Sequence, residues 1–208
     1  MAFCPLWKRK AKLPSIHAAS SYIDTSFPSD LPAPEDDGLY NHLTDLEIPK
    51  SLSLPAATDP STKVTLADLP GLTIVFVYPR TGAPNETVPD SWNAIPGARG
   101  CTPQACSFRD NLPQLTFLGV SQIYGVSTQS TSYQAEVHER LHLPYDLLSD
   151  EQLTFQQGLN LPTFEWEGTK VLRRSMIAIE KGRVLKWWYP VFPPDRGVED
   201  VLQWLKSR

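Results

Sequence analysis

Two thiols five residues apart, Cys101 and Cys106, lie in the segment Gly97-Ala98-Arg99-Gly100-Cys101-Thr102-Pro103-Gln104-Ala105-Cys106-Ser107-Phe108-Arg109-Asp110. A third, Cys4, stands alone near the start of the chain and reads as incidental. An odd number of cysteines argues against a secreted disulfide scaffold. Two thiols without histidines beside them make a poor zinc site. What remains is thiol chemistry, or burial as small apolar side chains. The context favours chemistry. Ala105, Phe108, Leu112 and Leu115 recur at helical spacing and predict a helix over roughly Thr102–Leu112. Pro103 suits its first turn, and Pro113 is expected to end or kink it. Cys101 is then delivered to a helix N-terminus, whose unpaired N–H groups favour an anion. A thiolate is such an anion, and Arg99 is near. Gly97 and Gly100 leave room for a small substrate to approach the backbone.

The spacing carries a mechanical consequence. On an intact helix, residues i and i+5 differ by ~7.5 Å in rise and ~140° in direction, a Cα separation of about 8–9 Å. A disulfide needs less than about 7 Å. A bond between Cys101 and Cys106 therefore requires the first helical turn to unwind, which a C-x-x-C pair does not.

The elements that must position these residues can be read from periodicity. Leu72–Tyr78 is a β-branched, aromatic run ended by Pro79 and predicts a buried strand. A long polar loop with prolines at 84, 89 and 96 follows over residues 80–100. Gln122–Val126 predicts a second strand. Thr131 with Gln134 predicts a capping box for a helix to about Leu141. Val171–Ile179 and Arg183–Tyr189 read as two strands joined by a tight turn at Glu180-Lys181-Gly182. Val198, Val201, Leu202 and Leu205 mark the buried face of a last helix from about Asp195. Earlier, Leu52/Leu54 and Val64/Leu66 suggest a short hairpin leading into the core. The order strand, helix, strand, helix, hairpin, helix predicts an α/β, thioredoxin-like fold: a mixed central sheet flanked by helices. Residues 31–208 are expected to form that domain, with 1–30 a flexible N-terminal extension.

Composition bounds the partners. The chain has 208 residues, 41% hydrophobic and 20% charged, with net charge -4. With no long basic block, no nucleic-acid partner is expected. The Leu72–Tyr78 run is far too short to span a bilayer, so no membrane partner is expected. Of the 20 prolines most of the excess precedes residue 100, which predicts irregular chain there. Lys8, Arg9, Lys10 and Lys12 precede the first acid at Asp24, a weak transit-peptide character. Cytoplasmic placement is the expectation, with organelle targeting by residues 1–30 as the alternative.

The cysteine segment resembles the active site of peroxiredoxins of the bacterioferritin-comigratory, or Q-type, class within the redoxin superfamily. Tyr78-Pro79 resembles their strand end, and Gly100-Cys101-Thr102 with Cys106-Ser107-Phe108-Arg109-Asp110 resembles their active-site helix. Tyr124–Ser127, Leu143–Asp150 and Arg173-Arg174-Ser175 match more loosely, so the resemblance runs over about residues 45–207. It implies a thiol-dependent peroxidase for hydrogen peroxide or organic hydroperoxides. Cys101 would be the peroxidatic thiol and Cys106 the resolving one, closing an intramolecular disulfide. Arg173, favoured over Arg174 by counting back from Gly182, would stabilise the thiolate and orient the peroxide. A thioredoxin- or glutaredoxin-type reductant, no cofactor, and a monomer or weak dimer are implied. Three departures stand out: Ala98 replaces the usual Thr or Ser three residues before the cysteine, Arg99 replaces a proline, and the loop after Pro79 is longer by roughly fifteen residues. Thr81 and Thr102 are the candidate replacement hydroxyls. Two rival readings are a redoxin fold recruited to another reaction and a non-enzymatic thiol switch.

Two other patterns have bland readings. His138-Glu139-Arg140-Leu141-His142 matches H-E-x-x-H, yet Pro144 follows at once and no third ligand is evident, so a solvated helix face is expected. In the aromatic run, Trp187 and Tyr189 should face one side of a strand and Trp188 the other, as core packing rather than a partner patch.

Overall fold

The computed structural model describes residues 30–208; Cys4 and the predicted N-terminal extension lie outside the described residues, save Asp30. In chain order the elements are β1 (Ser53–Pro55), β2 (Lys63–Thr65), β3 (Leu72–Val77), α1 (Asp90–Asn93), α2 (Cys101–Asp110), α3 (Leu112–Phe117), β4 (Val120–Ser127), α4 (Thr131–Arg140) and β5 (Asp146–Ser149). These are followed by α5 (Thr154–Gly158), β6 (Thr163–Trp166), β7 (Thr169–Leu172), β8 (Ser175–Glu180), β9 (Arg183–Trp188) and α6 (Gly197–Lys206). The main sheet has the order β5-β4-β3-β8-β9. β3 pairs parallel with β4 and antiparallel with β8, the mixed sheet expected from the sequence.

β3 is central because every one of its residues is apolar or Thr, and all six are buried. Side chains alternate across a strand. Ile74 and Phe76 accordingly join the core beneath α2 and α6, while Val75 and Val77 join the core beneath α5 and the Tyr40–Leu54 segment. The same alternation sorts the aromatic run as expected. Trp188 meets Trp204 of α6 edge-on at 5.5 Å, whereas Trp187 and Tyr189 pack on Tyr40 across the sheet.

Four local expectations are corrected. The predicted strand Val171–Ile179 is two strands. β7 pairs only with β6 in a separate ribbon, and the chain enters the main sheet at Ser175 after a break at Arg173-Arg174. Two adjacent guanidinium side chains cannot both lie in a strand buried on both faces. The predicted helix Thr102–Leu112 divides at Asn111, whose side-chain amide donates to the Ser107 carbonyl at 2.9 Å. Pro113 then occupies the first turn of α3 rather than ending α2. The cap of α4 is Ser130, whose hydroxyl accepts from the Tyr133 N–H at 3.3 Å. Gln134 turns inward instead of back to the helix start. Finally, the polar loop contains the turn α1, whose Trp92 is buried with Ala98 and Val171 against Phe164 and Trp166. An aromatic side chain this large folds the loop onto the β6–β7 ribbon.

The H-E-x-x-H stretch does not form one helical face. α4 stops at Arg140, and His142 lies beyond it at φ 50°. Among the described residues no group of three or more His, Cys, Asp or Glu is placed to hold a metal ion.

Candidate active site

The site is built where β3 ends and α2 begins. Tyr78 continues β3, its N–H donating to the Val126 carbonyl at 3.0 Å. Its buried hydroxyl donates to Gln134 Oε1 at 2.9 Å. Burial, and to a lesser degree the neighbouring Cys101, push the Tyr78 phenol above its ordinary range, so it acts as a neutral donor. Gln134 spends its amide N–H groups on the carbonyls of Gln129 at 2.8 Å and Leu148 at 3.1 Å. One glutamine thus ties the ends of β3 and β5 to α4, and the surroundings of Cys101 rest on a rigid base.

Gly100 turns the chain into α2. It sits at φ 101°, ψ 23°, a left-handed conformation open to glycine at little cost. Cys101 is the first residue of the helix, as the sequence predicts, and only 3% exposed. Its thiol is 3.7 Å from the Ala98 carbonyl as donor. Its sulfur accepts from Arg174 Nη2 at 3.2 Å.

That contact corrects the arginine. The sequence reading favoured Arg173, but consecutive residues in extended chain point to opposite sides. Arg174 takes the side of α2 and is 4% exposed. Its Nε donates to the Gly97 carbonyl at 3.2 Å, and its Nη2 also faces the carbonyls of Ala98 and Arg99 at 3.0 Å each. Its Nη1 donates to Gln104 Oε1. Arg173 takes the other side, where Nη1 donates to Asp37 at 2.9 Å and to the Tyr189 hydroxyl at 3.0 Å. Among the described residues no carboxylate forms an ion pair with Arg174. A buried cation without a counter-charge is costly, and the Cys101 sulfur lies within its reach.

The other sequence candidates are placed as follows. The guanidinium of Arg99 turns away to Asn93 at 3.0 Å, leaving its carbonyl to Arg174. The Thr81 hydroxyl donates to Gln129 Oε1 at 3.1 Å and does not bond Cys101. Thr102 makes no hydrogen bond to Cys101 either. Cys106 is also 3% exposed, in the same core cluster as Cys101. Burial pushes its thiol up, partly offset by Arg109. At the residue just before Cys106, the Tyr145 hydroxyl donates to the Ala105 carbonyl at 2.6 Å. Both cysteines are free thiols.

Sequence reasoning missed Gln104. It is wholly buried, its Oε1 is held by Arg174, and its Nε2 has no hydrogen-bond partner. Its place three residues after Cys101, on the same helical face, was the available signal. Also missed was the segment before Tyr40. With Ile95, Pro96, Phe164 and Tyr189, Pro34 lines a cavity of about 420 Å³ that reaches Arg174.

With this geometry in place, comparison with known proteins is direct. The redoxin family pattern matches residues 42–202. The chain belongs to the redoxin family. A chloroplastic peroxiredoxin Q of Gentiana triflora is 30% identical over 108 residues, 52% of this chain and 49% of that protein. A chloroplastic peroxiredoxin Q of Populus jackii is 27% identical over 188 residues, 81% of this chain and 79% of its own length. The chain thus spans about half the length of several curated relatives that it matches. Among solved structures, the peroxidoxin BcpB of Mycobacterium tuberculosis superposes with a TM-score of 0.63 at 24% identity, covering 79% of this chain and 96% of the other. Peroxiredoxin Q of Xanthomonas campestris gives 0.61 at 22%, covering 78% and 96%. These likenesses bear out the thioredoxin-like redoxin fold and the resemblance to the Q-type class.

Proposed function

We propose that this redoxin is a Q-type peroxiredoxin, a thiol-dependent peroxidase that reduces hydrogen peroxide or organic hydroperoxides. The observation that carries the reading is the Arg174 Nη2 at 3.2 Å from Cys101 Sγ, at the first position of α2. A fixed guanidinium and a helix N-terminus both favour negative charge on that sulfur. Cys101 attacks one peroxide oxygen and becomes a sulfenic acid, releasing water or an alcohol. Cys106 condenses with it, losing water, to give an intramolecular disulfide. An external dithiol of the thioredoxin or glutaredoxin type restores both thiols, and no bound cofactor is required.

Both sulfurs lie on one continuous helix. Helix geometry keeps their Cα atoms about 8–9 Å apart, so resolution proceeds through unwinding of the first turn of α2. Arg174, not Arg173, is the arginine of the reaction. The protein acts as a monomer or weak dimer. Cytoplasmic placement is the reading for the compartment, and the chloroplastic relatives support organelle delivery as the alternative. No helix among the described residues is long and apolar enough to cross a membrane.

The test is stopped-flow oxidation by hydrogen peroxide. Wild type should oxidise rapidly and lose about two mass units without dimerising. Cys101→Ser should not react, and Cys106→Ser should accumulate the sulfenic acid. Slow oxidation of wild type, unchanged in Cys101→Ser, would leave only a redoxin fold without this activity.

A further inference from the structure

Cleaving a peroxide requires a hydrogen-bond donor at the leaving oxygen, where negative charge grows as the O–O bond breaks. The donors around Cys101 can be counted. A guanidinium has five N–H groups. Those of Arg174 face the carbonyls of Gly97, Ala98 and Arg99, Gln104 Oε1 and Cys101 Sγ. Three of these acceptors share its Nη2, and Nε and Nη1 serve one each, so this arginine holds the sulfur and the loop and keeps one Nη1 N–H for substrate. Ala98 has no hydroxyl, and that of Thr81 is committed to Gln129. Besides the backbone N–H groups that open α2, one buried side-chain donor without a partner stands beside them: Gln104 Nε2, on a side chain with 0% exposure.

Its orientation is fixed. Arg174 Nη1 donates to the amide oxygen, and a flipped amide would set N–H against N–H. Gln104 and Cys101 lie on one face of α2, three residues apart, and adjacent nitrogens of one guanidinium grip both. A buried amide nitrogen is rarely left without a partner unless a ligand or water supplies one. We propose that Gln104 is a catalytic residue whose Nε2 hydrogen-bonds the peroxide, taking the place of the hydroxyl that Ala98 lacks. The proposal rests on the peroxidase reading above.

In the step itself the Cys101 thiolate attacks the terminal oxygen of ROOH. The S–O bond forms and the O–O bond breaks, with its electron pair leaving on RO. The sulfur is oxidised by two electrons and the peroxide reduced by two. The products are Cys101–SOH and RO⁻, which takes a proton from water. Gln104 transfers no proton. Its N–H strengthens its hydrogen bond as charge develops on the departing oxygen.

The experiment compares two reactions of the same sulfur: oxidation by hydrogen peroxide and alkylation by iodoacetamide, whose leaving group is iodide. Gln104→Leu removes donor and acceptor. Gln104→Glu keeps an acceptor for Arg174 but, when ionised, has no donor. In both variants the ratio of peroxide to alkylation rate constants should fall by about ten- to a hundredfold. If Gln104 only positions Arg174, the two rates fall together in Gln104→Leu and Gln104→Glu keeps the wild-type ratio; either result overturns the proposal. A wild-type Cys101 that alkylates but ignores peroxide would sink the peroxidase reading itself. A working peroxidase with an unchanged ratio would sink the role of Gln104 alone.

Discussion

Replacing Arg174 by lysine keeps a positive charge near Cys101 but removes the planar fork. In the wild type that fork reaches Cys101 Sγ at 3.2 Å, the carbonyls of Gly97, Ala98 and Arg99, and Gln104 Oε1. An ammonium has three donors and one point of attachment, so at least two of these five acceptors go unserved. A hydrogen bond to a charged group contributes about 1.5–3 kcal/mol. Losing the one to the Cys101 thiolate should therefore slow oxidation by roughly ten- to a hundredfold, at about 1.4 kcal/mol per tenfold. Arg173→Ala is the matched control. Arg173 holds Asp37 and Tyr189 on the opposite side, with its side chain 38% exposed, and such pairs contribute little. Its rate should stay within about threefold of wild type, a difference of under one kcal/mol. Stopped-flow tryptophan fluorescence under pseudo-first-order peroxide gives both constants. Should Arg173→Ala slow oxidation as much as Arg174→Lys, the assignment of the two guanidinium groups to opposite sides would be wrong.

Three further outcomes are expected. Burial holds the Cys106 thiol above its ordinary range in the folded helix, so its reactive thiolate is scarce at neutral pH. If Cys106 attacks from its buried place while Cys101 travels to it, disulfide formation in oxidised enzyme should still climb with pH above the ordinary thiol value of about 8.5; a rate that levels off near that value would mean that Cys106 leaves its buried place before it attacks. Tyr78→Phe leaves buried Gln134 Oε1 without its donor. It should cost about 1–3 kcal/mol, which calorimetry would register as a fall of about 3–10 °C in Tm; an unchanged Tm would contradict the role of Gln134 as a tie between strands. Trp92→Ala empties the small core shared with Ala98 and Val171, a loss of up to about 3–5 kcal/mol for a buried Trp. Limited proteolysis should then cut within residues 80–96 faster than in wild type, and an unaltered digest would mean that the loop holds without its tryptophan.

The fold was legible wherever burial follows a simple period. β3 is buried on both faces and reads as a continuous apolar run, and Val198, Val201, Leu202 and Leu205 of α6 are all buried at helical spacing. Cys101 was legible because glycines and a helical period converge on it. What failed did so where tertiary geometry decides. The break at Arg173-Arg174 cannot be placed from a strand pattern, since either arginine satisfies the same period. A one-residue choice there exchanges the two faces of the chain, and that is how Arg173 was favoured over Arg174. Gln134 fits a capping box by sequence, but the packing of β3, β5 and α4 leaves a buried Tyr78 hydroxyl and two carbonyls that its amide satisfies. Gln104 lacked even that cue. A polar residue on the inner face of a short helix gives no sign of its partner until Arg174 is placed.

The two ends of α2 are held very differently, and that bears on how the disulfide can form. From Ala105 onward the helix is pinned. Phe108 is wholly buried and stacks on Phe76 of the central strand at 4.9 Å, and the Ala105 carbonyl is held by Tyr145. Its first turn has no side-chain cap, only Gly100 in a left-handed conformation. A side-chain cap is typically worth about 1 kcal/mol of helix stability, so this turn starts from a deficit. In the proposed disulfide step Cys106 is thus the stationary partner and Cys101 the one that travels. The same motion takes Gln104 away from Arg174, because Gln104 lies within the turn that opens. In the proposed reaction, oxidation has by then removed the anion that balanced the buried guanidinium. The loss of that charge weakens the hold of Arg174 on Cys101 at the stage when the sulfur must leave, so the contact that assists attack on the peroxide ceases to oppose resolution once the attack is complete.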